Sequence, residues 1–263
     1  MTIKHKFLNH DFKNGFKTRN SILQTDYYEP IAIFIGTFNH GWSWNESDFF
    51  YGRDMYMWPN MANLFLYNQN LLHSKRKFDN DIPDLMQIFE ICKKGKFVFA
   101  DIIKGVKDEI DVIENKDKRC VLVNNLYEWK KNGKIGEYSD KHLDNMGKNG
   151  WLDDNVADIL EYINKTKSIK NIYFTYKSGD WIVEKINEIC KNIRPDVNCC
   201  SIFSPTGNGF RKNLQAPFNE RGWSLTHCWV WNGLTNNIQI SKPSYGYLDH
   251  EWLKSCGVNP DNF

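Results

Sequence analysis

With 263 residues, of which 41% are hydrophobic and 25% charged, the chain has the make-up of a globular protein, which excludes disordered and fibrous classes. Its 34 Lys and Arg against 32 Asp and Glu leave a net charge of +2, so bulk charge gives no argument for nucleic-acid binding and any such binding needs a local patch. The longest apolar run, Ile31–Ile35, is far short of the roughly 18 residues of a membrane span, and the start Met1-Thr2-Ile3-Lys4-His5-Lys6 lacks a signal stretch. A cytoplasmic protein with no membrane association is expected.

In chain order, residues 1–30 are poor in aliphatics and read as an arm. Four short β-rich runs follow, Ile31–Gly36, Phe97–Ile102, Ile169–Thr175 and Asn198–Phe203. Their near-continuous hydrophobicity suits strands covered on both faces, as in a parallel sheet. Helical spacing lies between them: Leu64, Phe65, Asn68, Leu71 and Leu72; then Asp81–Lys94, with Pro83 at its start and Gly95 as a stop. Val156, Ile159, Leu160 and Ile163 repeat the pattern, as do Ile182, Ile186, Ile189 and Ile193 after a cap at Ser178. The stretch Lys130–Gly150 reads as a surface excursion rich in Gly, Lys, Asn and Asp. The tail beyond Leu214 carries Trp223, Trp229, Trp231 and Trp252 among turn signals.

This order predicts one α/β domain spanning 1–263, a three-layer α/β/α sandwich around a four-stranded, largely parallel sheet. The core runs over about 31–213, with an N-terminal arm 1–30 and a Trp-rich extension 214–263. The seven Cys are scattered without a C-x-x-C pair and read as reduced, mostly buried thiols. Aromatic residues make up 15% of the chain, including ten Trp, and supply both core packing and material for a ligand wall.

Ligands of an open parallel sheet bind outside the carboxyl ends of its strands, so the segments just after each run carry most weight. These are Gly36-Thr37-Phe38-Asn39-His40, Asp101-Ile102-Ile103, Tyr176-Lys177-Ser178-Gly179-Asp180, and Ser204-Pro205-Thr206-Gly207-Asn208-Gly209-Phe210-Arg211-Lys212. The last combines small hydroxyls and glycines with a basic pair, the composition of a phosphate clamp. An ordinary Gly-rich turn beside solvated charges has the same composition. The ring-dense segment Phe49–Pro59 fits either a pocket for a flat base or core packing under a loop. Walker A, G-x-S-x-G and His-Glu-x-x-His patterns are lacking, and the His and Cys spacing offers no metal ligand set.

Taken in order, these pieces resemble the uracil-DNA glycosylase superfamily, most closely its hypoxanthine (deoxyinosine) DNA glycosylase-like branch. Phe34-Ile35-Gly36-Thr37-Phe38-Asn39 is similar to that group's strand and Gly-Ser-Phe-Pro loop. Phe50-Tyr51-Gly52-Arg53 with Met57-Trp58-Pro59 resembles its aromatic run, Phe99–Ile103 its strand ending in Asp, and Phe203–Asn208 its phosphate-gripping loop. The resemblance covers roughly residues 31–213. It implies a metal-independent, cofactor-free monomer that binds DNA, extrudes a modified or deaminated base and hydrolyses its N-glycosidic bond.

For such a reaction Asp54 or Asn39 is expected at the attacking water, and the backbone N–H groups of the 36–40 loop or His227 at the leaving base. Phe38, Tyr51, Arg53 and Trp58 would contact the base, and Ser204, Thr206, Gly207, Asn208, Arg211 and Lys212 the DNA backbone. The position where the superfamily usually holds Asp, Asn or Glu is Phe38 here. The aromatic run is one residue shorter than the family's. A bulky hypermodified base, such as glucosylated hydroxymethylcytosine of phage DNA, is expected in preference to plain uracil, which would make the protein a defence enzyme. Two other readings stay open: a non-catalytic module that binds modified DNA, and an α/β enzyme acting on a free nucleotide or sugar phosphate.

Overall fold

The computed structural model describes residues 3–12, 14–43, 45–53, 56–70, 83–107, 112–115, 120–123, 141–205, 225–232, 234–235, 238–239 and 245–263. The chain is a mixed α/β protein built on a largely parallel sheet flanked by helices. Strands β1 (Phe16–Arg19), β2 (Ile22–Thr25), β3 (Ala32–Gly36), β4 (Phe97–Asp101), β9 (Asn171–Phe174) and β10 (Asn198–Ser201) form one six-stranded sheet in the order β1-β2-β4-β3-β9-β10. The four runs expected as strands are its parallel part: β3 pairs in parallel with both β4 and β9, and β9 with β10. Every residue of β3, β4 and β9 is buried, which explains why their sequences are apolar without alternation.

The sheet is wider than expected because the N-terminal arm is not a mere decoration. β1 and β2 form an antiparallel hairpin whose two-residue turn, Asn20-Ser21, has φ of 51° and 58°, the left-handed pair that matches strand twist. The hairpin adds to β4 through the pair Ile22↔Ala100. Among the described residues six short strands lie outside this sheet, the last two, β11 (Leu234–Thr235) and β12 (Ile238–Gln239), paired antiparallel with each other. β5 (Ile103–Val106) pairs with β8 (Leu152–Asp154), and β6 (Val112–Asn115) with β7 (Cys120–Val123).

The helices are α1 (Met57–Ala62, running on as a π-turn Asn63–Tyr67), α2 (Leu85–Gly95), α3 (Lys141–Lys148), α4 (Val156–Lys165), α5 (Asp180–Asn192), α6 (Leu225–Trp231) and α7 (His250–Ser255). Three local expectations need correction. The left-handed residue that ends α2 is Lys96 (φ 48°), not Gly95; a Cβ on Gly95 would sit 2.4 Å from the Phe97 ring, so this glycine serves close packing. Ser178 does not cap α5. Gly179 takes the cap position, and Asp144 of α3 accepts from the Trp181 N–H at 2.7 Å, a cap supplied across space. Residues 141–148 of the supposed surface excursion form α3, which buries Leu143 and Met146. No described helix is long and apolar enough to cross a membrane.

Candidate active site

Side-chain alternation decides what meets at the strand ends. Residues paired across parallel strands share a face, so the pairs Phe34↔Phe99 and Phe34↔Tyr173 align these rings on one side. Phe34 lies 5.3 Å from Phe97, 5.8 Å from Phe99 and 5.1 Å from Tyr173 between ring centroids. The next positions on that face, toward the carboxyl ends, are Gly36, Asp101 and Thr175. The aromatic layer therefore gives way to a polar floor at the end of β3, β4 and β9, where an open parallel sheet binds its ligands.

Asp101 is the centre of this floor and is only 5% exposed. A carboxylate so placed is costly unless it is paired. Its partner is His5, whose Nε2 lies 2.7 Å from Asp101 Oδ2 with the imidazole fully buried. His5 Nδ1 accepts from the Phe7 N–H at 3.0 Å, so the ring proton belongs on Nε2 and is donated to the carboxylate. The other oxygen, Oδ1, projects over Gly36: a Cβ on that glycine would stand 2.4 Å from Asp101 Oδ1 and 3.0 Å from Tyr51 Oη. Only glycine leaves this space open.

His5 arrives on a strap that two other glycines admit. Residues 3–6 run between the loop after β3 and strand β5, with His5 N–H donating to Lys104 O at 2.6 Å, Lys6 N–H to Asn39 O at 2.7 Å and Gly41 N–H to Lys4 O at 2.9 Å. A Cβ on Gly41 would be 2.6 Å from Lys4 O, and one on Gly105 2.8 Å from Ile3 O. Lys6 Nζ also donates to Asn45 O. This strap is what ties residue 5 to residue 101.

Tyr51 closes the third side. Its backbone is left-handed, φ 64°, an uncommon conformation for a bulky residue, and Gly52 follows at φ 56°. This kink lays the ring edge-on to Phe99, at 5.6 Å between centroids, and brings Oη to within 2.8 Å of Thr175 Oγ1. Thr175 donates to Ile35 O at 3.3 Å, so Tyr51 donates to Thr175 and turns lone pairs toward the space above Gly36. Burial, then the Asp101 charge, push the Tyr51 phenol well above its ordinary pKa, with the Thr175 bond acting the other way; it stays protonated.

The loop after β3 forms a wall. Phe38 is buried with its ring 6.2 Å from that of His5 and 6.3 Å from Trp42. His40 beside it is held neutral: burial first, then Lys6 and His5, bring its pKa down to about 3.

Of the residues singled out in the sequence, Phe38 and Tyr51 join this cluster. Asn39 is adjacent and half-buried; its side-chain oxygen accepts from Asn45 Nδ2 at 2.8 Å. Trp58 presents no face to a ligand. It is fully buried, tilted against Phe49 and edge-to-face with Phe99, with Nε1 donating to Phe50 O at 3.0 Å. Arg53 turns to Asp48, with Nε 2.9 Å from a carboxylate oxygen. His227 lies on α6, where burial lowers its pKa and the Phe263 backbone works against that, so it faces the end of the chain rather than Asp101. Ser204 is half-buried just beyond β10. Asp54, Thr206, Gly207, Asn208, Arg211 and Lys212 lie outside the described residues.

His5 and Thr175 are not among the expected site residues, and Asp101 is expected at a strand end and, with His227, as the next candidate for the water after Asp54 and Asn39. Asp101 did carry a signal, as the polar third member of the alternating set Phe97, Phe99, Asp101. His5 carried none, since its partner is 96 residues away. Comparison of the chain with family models, with curated proteins and with solved structures finds no match.

Proposed function

We propose that the chain is a DNA glycosylase with the architecture of the uracil-DNA glycosylase superfamily, and that Asp101 is the carboxylate at its reacting centre. The observation that carries this reading is the buried Asp101–His5 pair, whose free carboxylate oxygen projects over Gly36 beside Tyr51 and Phe38. The sheet order supports it as well: the first parallel strand lies between the second and the third, so the crossovers reverse at Gly36 and a crevice opens there.

Cleavage of the C1′–N bond leaves the bonding electron pair on the base and positive charge on the sugar. A fixed carboxylate at that point stabilises the charge, and it takes a proton from the water that adds to C1′. His5 orients Asp101 by donating to Oδ2, which leaves Oδ1 for the reaction. The buried wall of Phe38 and Trp42 excludes water from the sugar cation, and the Tyr51 hydroxyl is a polar contact for the extruded nucleoside. Extrusion itself costs a few kcal/mol of unstacking, which phosphate contacts from the loop beyond β10 would offset.

The test is release of a base from duplex oligomers carrying uracil, hypoxanthine or glucosylated hydroxymethylcytosine, read as strand breaks after alkali. Base release from at least one of them is expected, with the Asp101→Asn chain at least about a hundredfold slower, the scale of losing a positioned transition-state group. Binding to modified DNA with no abasic sites would instead make the chain a recognition module. Hydrolysis of free nucleosides or nucleotides alone would remove DNA from the reading.

A further inference from the structure

A second chemical feature lies one strand away, on the opposite face of the sheet. Cys199 pairs with Ile172 and Cys200 with Tyr173, so the two adjacent thiols point to opposite sides of β10. Cys200 joins the Tyr173 side, where its Sγ lies 3.8 Å from Tyr247 O. Cys199 takes the other side, and Cys190 stands in the last turns of α5. Both line a cleft of about 350 Å³ together with Cys200, Phe174, Lys177 and Ile186.

We propose that Cys190 and Cys199 form an oxidisable thiol pair: hydrogen peroxide attacks at exposed Cys190, and Cys199 resolves the product into a disulfide that ties α5 to the edge strand. In the first step the Cys190 thiolate displaces hydroxide from the peroxide and becomes a sulfenic acid, Cys190–S–OH. In the second, Cys199 sulfur attacks Cys190 sulfur. The S–O bond breaks, the hydroxyl leaves as water with the Cys199 proton, and the S–S bond forms. Two thiols are oxidised and one peroxide is reduced to two waters.

The environments of the two sulfurs fit these unequal roles. Cys190 is exposed, and its pKa is lowered, first by the hydrogen bond with Cys199, against burial, and further by the Lys177 charge, which suits it to attack the peroxide. Cys199 is half-buried and pushed up by the same hydrogen bond and by burial, which suits it to the resolving step. Cys200 is pushed up to about 12 by burial and then by the Cys190 charge. A metal is not the alternative occupant: no three His, Cys, Asp or Glu side chains converge as a metal site among the described residues.

The experiment is brief exposure of the reduced, full-length protein to hydrogen peroxide, followed by intact mass and peptide mapping. Expected are a loss of about 2 Da reversed by dithiothreitol and a cross-link joining the peptide of Cys190 to that of Cys199. The Cys200→Ser variant should keep the cross-link. Cys199→Ser should lose it and instead leave a dimedone-reactive sulfenic acid at Cys190. A cross-link that survives Cys199→Ser, a cross-link that needs Cys200, or a Cys190 that oxidises no faster than the buried Cys92 would each overturn the proposal. None of these readouts depends on DNA or on base release, so they stand or fall apart from the glycosylase reading.

Discussion

Replacing His5 with Ala probes the central claim most directly, because it strips the buried Asp101 carboxylate of its donor. The imidazole is fully buried and the carboxylate nearly so, at 0% and 7% side-chain exposure, so the lost bond is one made out of bulk solvent. Breaking one side of a buried pair costs about 3–5 kcal/mol, most of it the penalty of an uncompensated charge. At roughly 2 °C per kcal/mol for a chain of this size, the melting temperature should fall by about 6–10 °C. The ring also packs near Phe7, Phe38 and Phe50, at 6.1, 6.2 and 5.9 Å between centroids, so part of the loss is packing. A double-mutant cycle separates the two. Asp101→Asn keeps an acceptor for His5 Nε2–H without the charge and should cost about 1–2 kcal/mol alone. In that background His5→Ala should lose only its packing share, which gives a coupling of about 2 kcal/mol or more. Urea unfolding followed by Trp fluorescence measures all four proteins. If His5→Ala costs the same with Asp or Asn at position 101, the pair is not a charge clamp and the site argument fails.

Other expectations rest on different contacts. Gly41→Val drives a side chain into Lys4 O, 2.6 Å from where Cβ would stand, and should displace the strap, costing about 1–3 kcal/mol in urea titrations and most of the base release; an active, fully stable variant would show that the strap is dispensable. His40, held near a pKa of about 3 in the fold against 6.5 unfolded, makes no pH-dependent contribution above 6.5, and stability falls as pH drops through the 6.5 to 3 window because only the unfolded chain takes up the proton there. His40→Asn should therefore flatten the urea midpoint between pH 6.5 and 5, and an unchanged slope would refute the assignment. If Arg211 and Lys212 grip phosphates, changing both to Ala should weaken binding to all DNA sequences and lower the salt slope by about one to two, as filter binding over a salt series would reveal.

The parallel strands were legible because their chemistry is local. Phe97-Val98-Phe99-Ala100 and Ile33-Phe34-Ile35 are buried on both faces, and burial on both faces writes an unbroken apolar run into the sequence. The β1–β2 hairpin was not legible for the opposite reason. Its left-handed turn is made by Asn20-Ser21 rather than by Asn-Gly, and only alternate residues of β1 are buried, so neither turn nor strand announces itself. The cap of α5 is not legible either, since local sequence offers Ser178, whereas Asp144 lies 37 residues before Trp181.

The site divides along the same line. Gly36, Phe38 and Asp101 follow their strands directly, so the general rule that ligands bind at carboxyl ends reaches them from sequence. His5 is reachable only through the strap, and the strap depends on glycines at 41 and 105 whose purpose shows once the backbone that passes them is in place. That dependence reverses the usual weighting of an N-terminal arm. A terminus that merely decorated a core could vary freely, but here residues 3–6 supply the donor that makes a buried carboxylate tolerable. The carboxylate in turn needs Gly36 to leave one oxygen open and Tyr51 in a strained backbone conformation to close the far side. Each of these features costs stability on its own, and together they leave one carboxylate oxygen, Oδ1, unshared among the described residues, over the crevice.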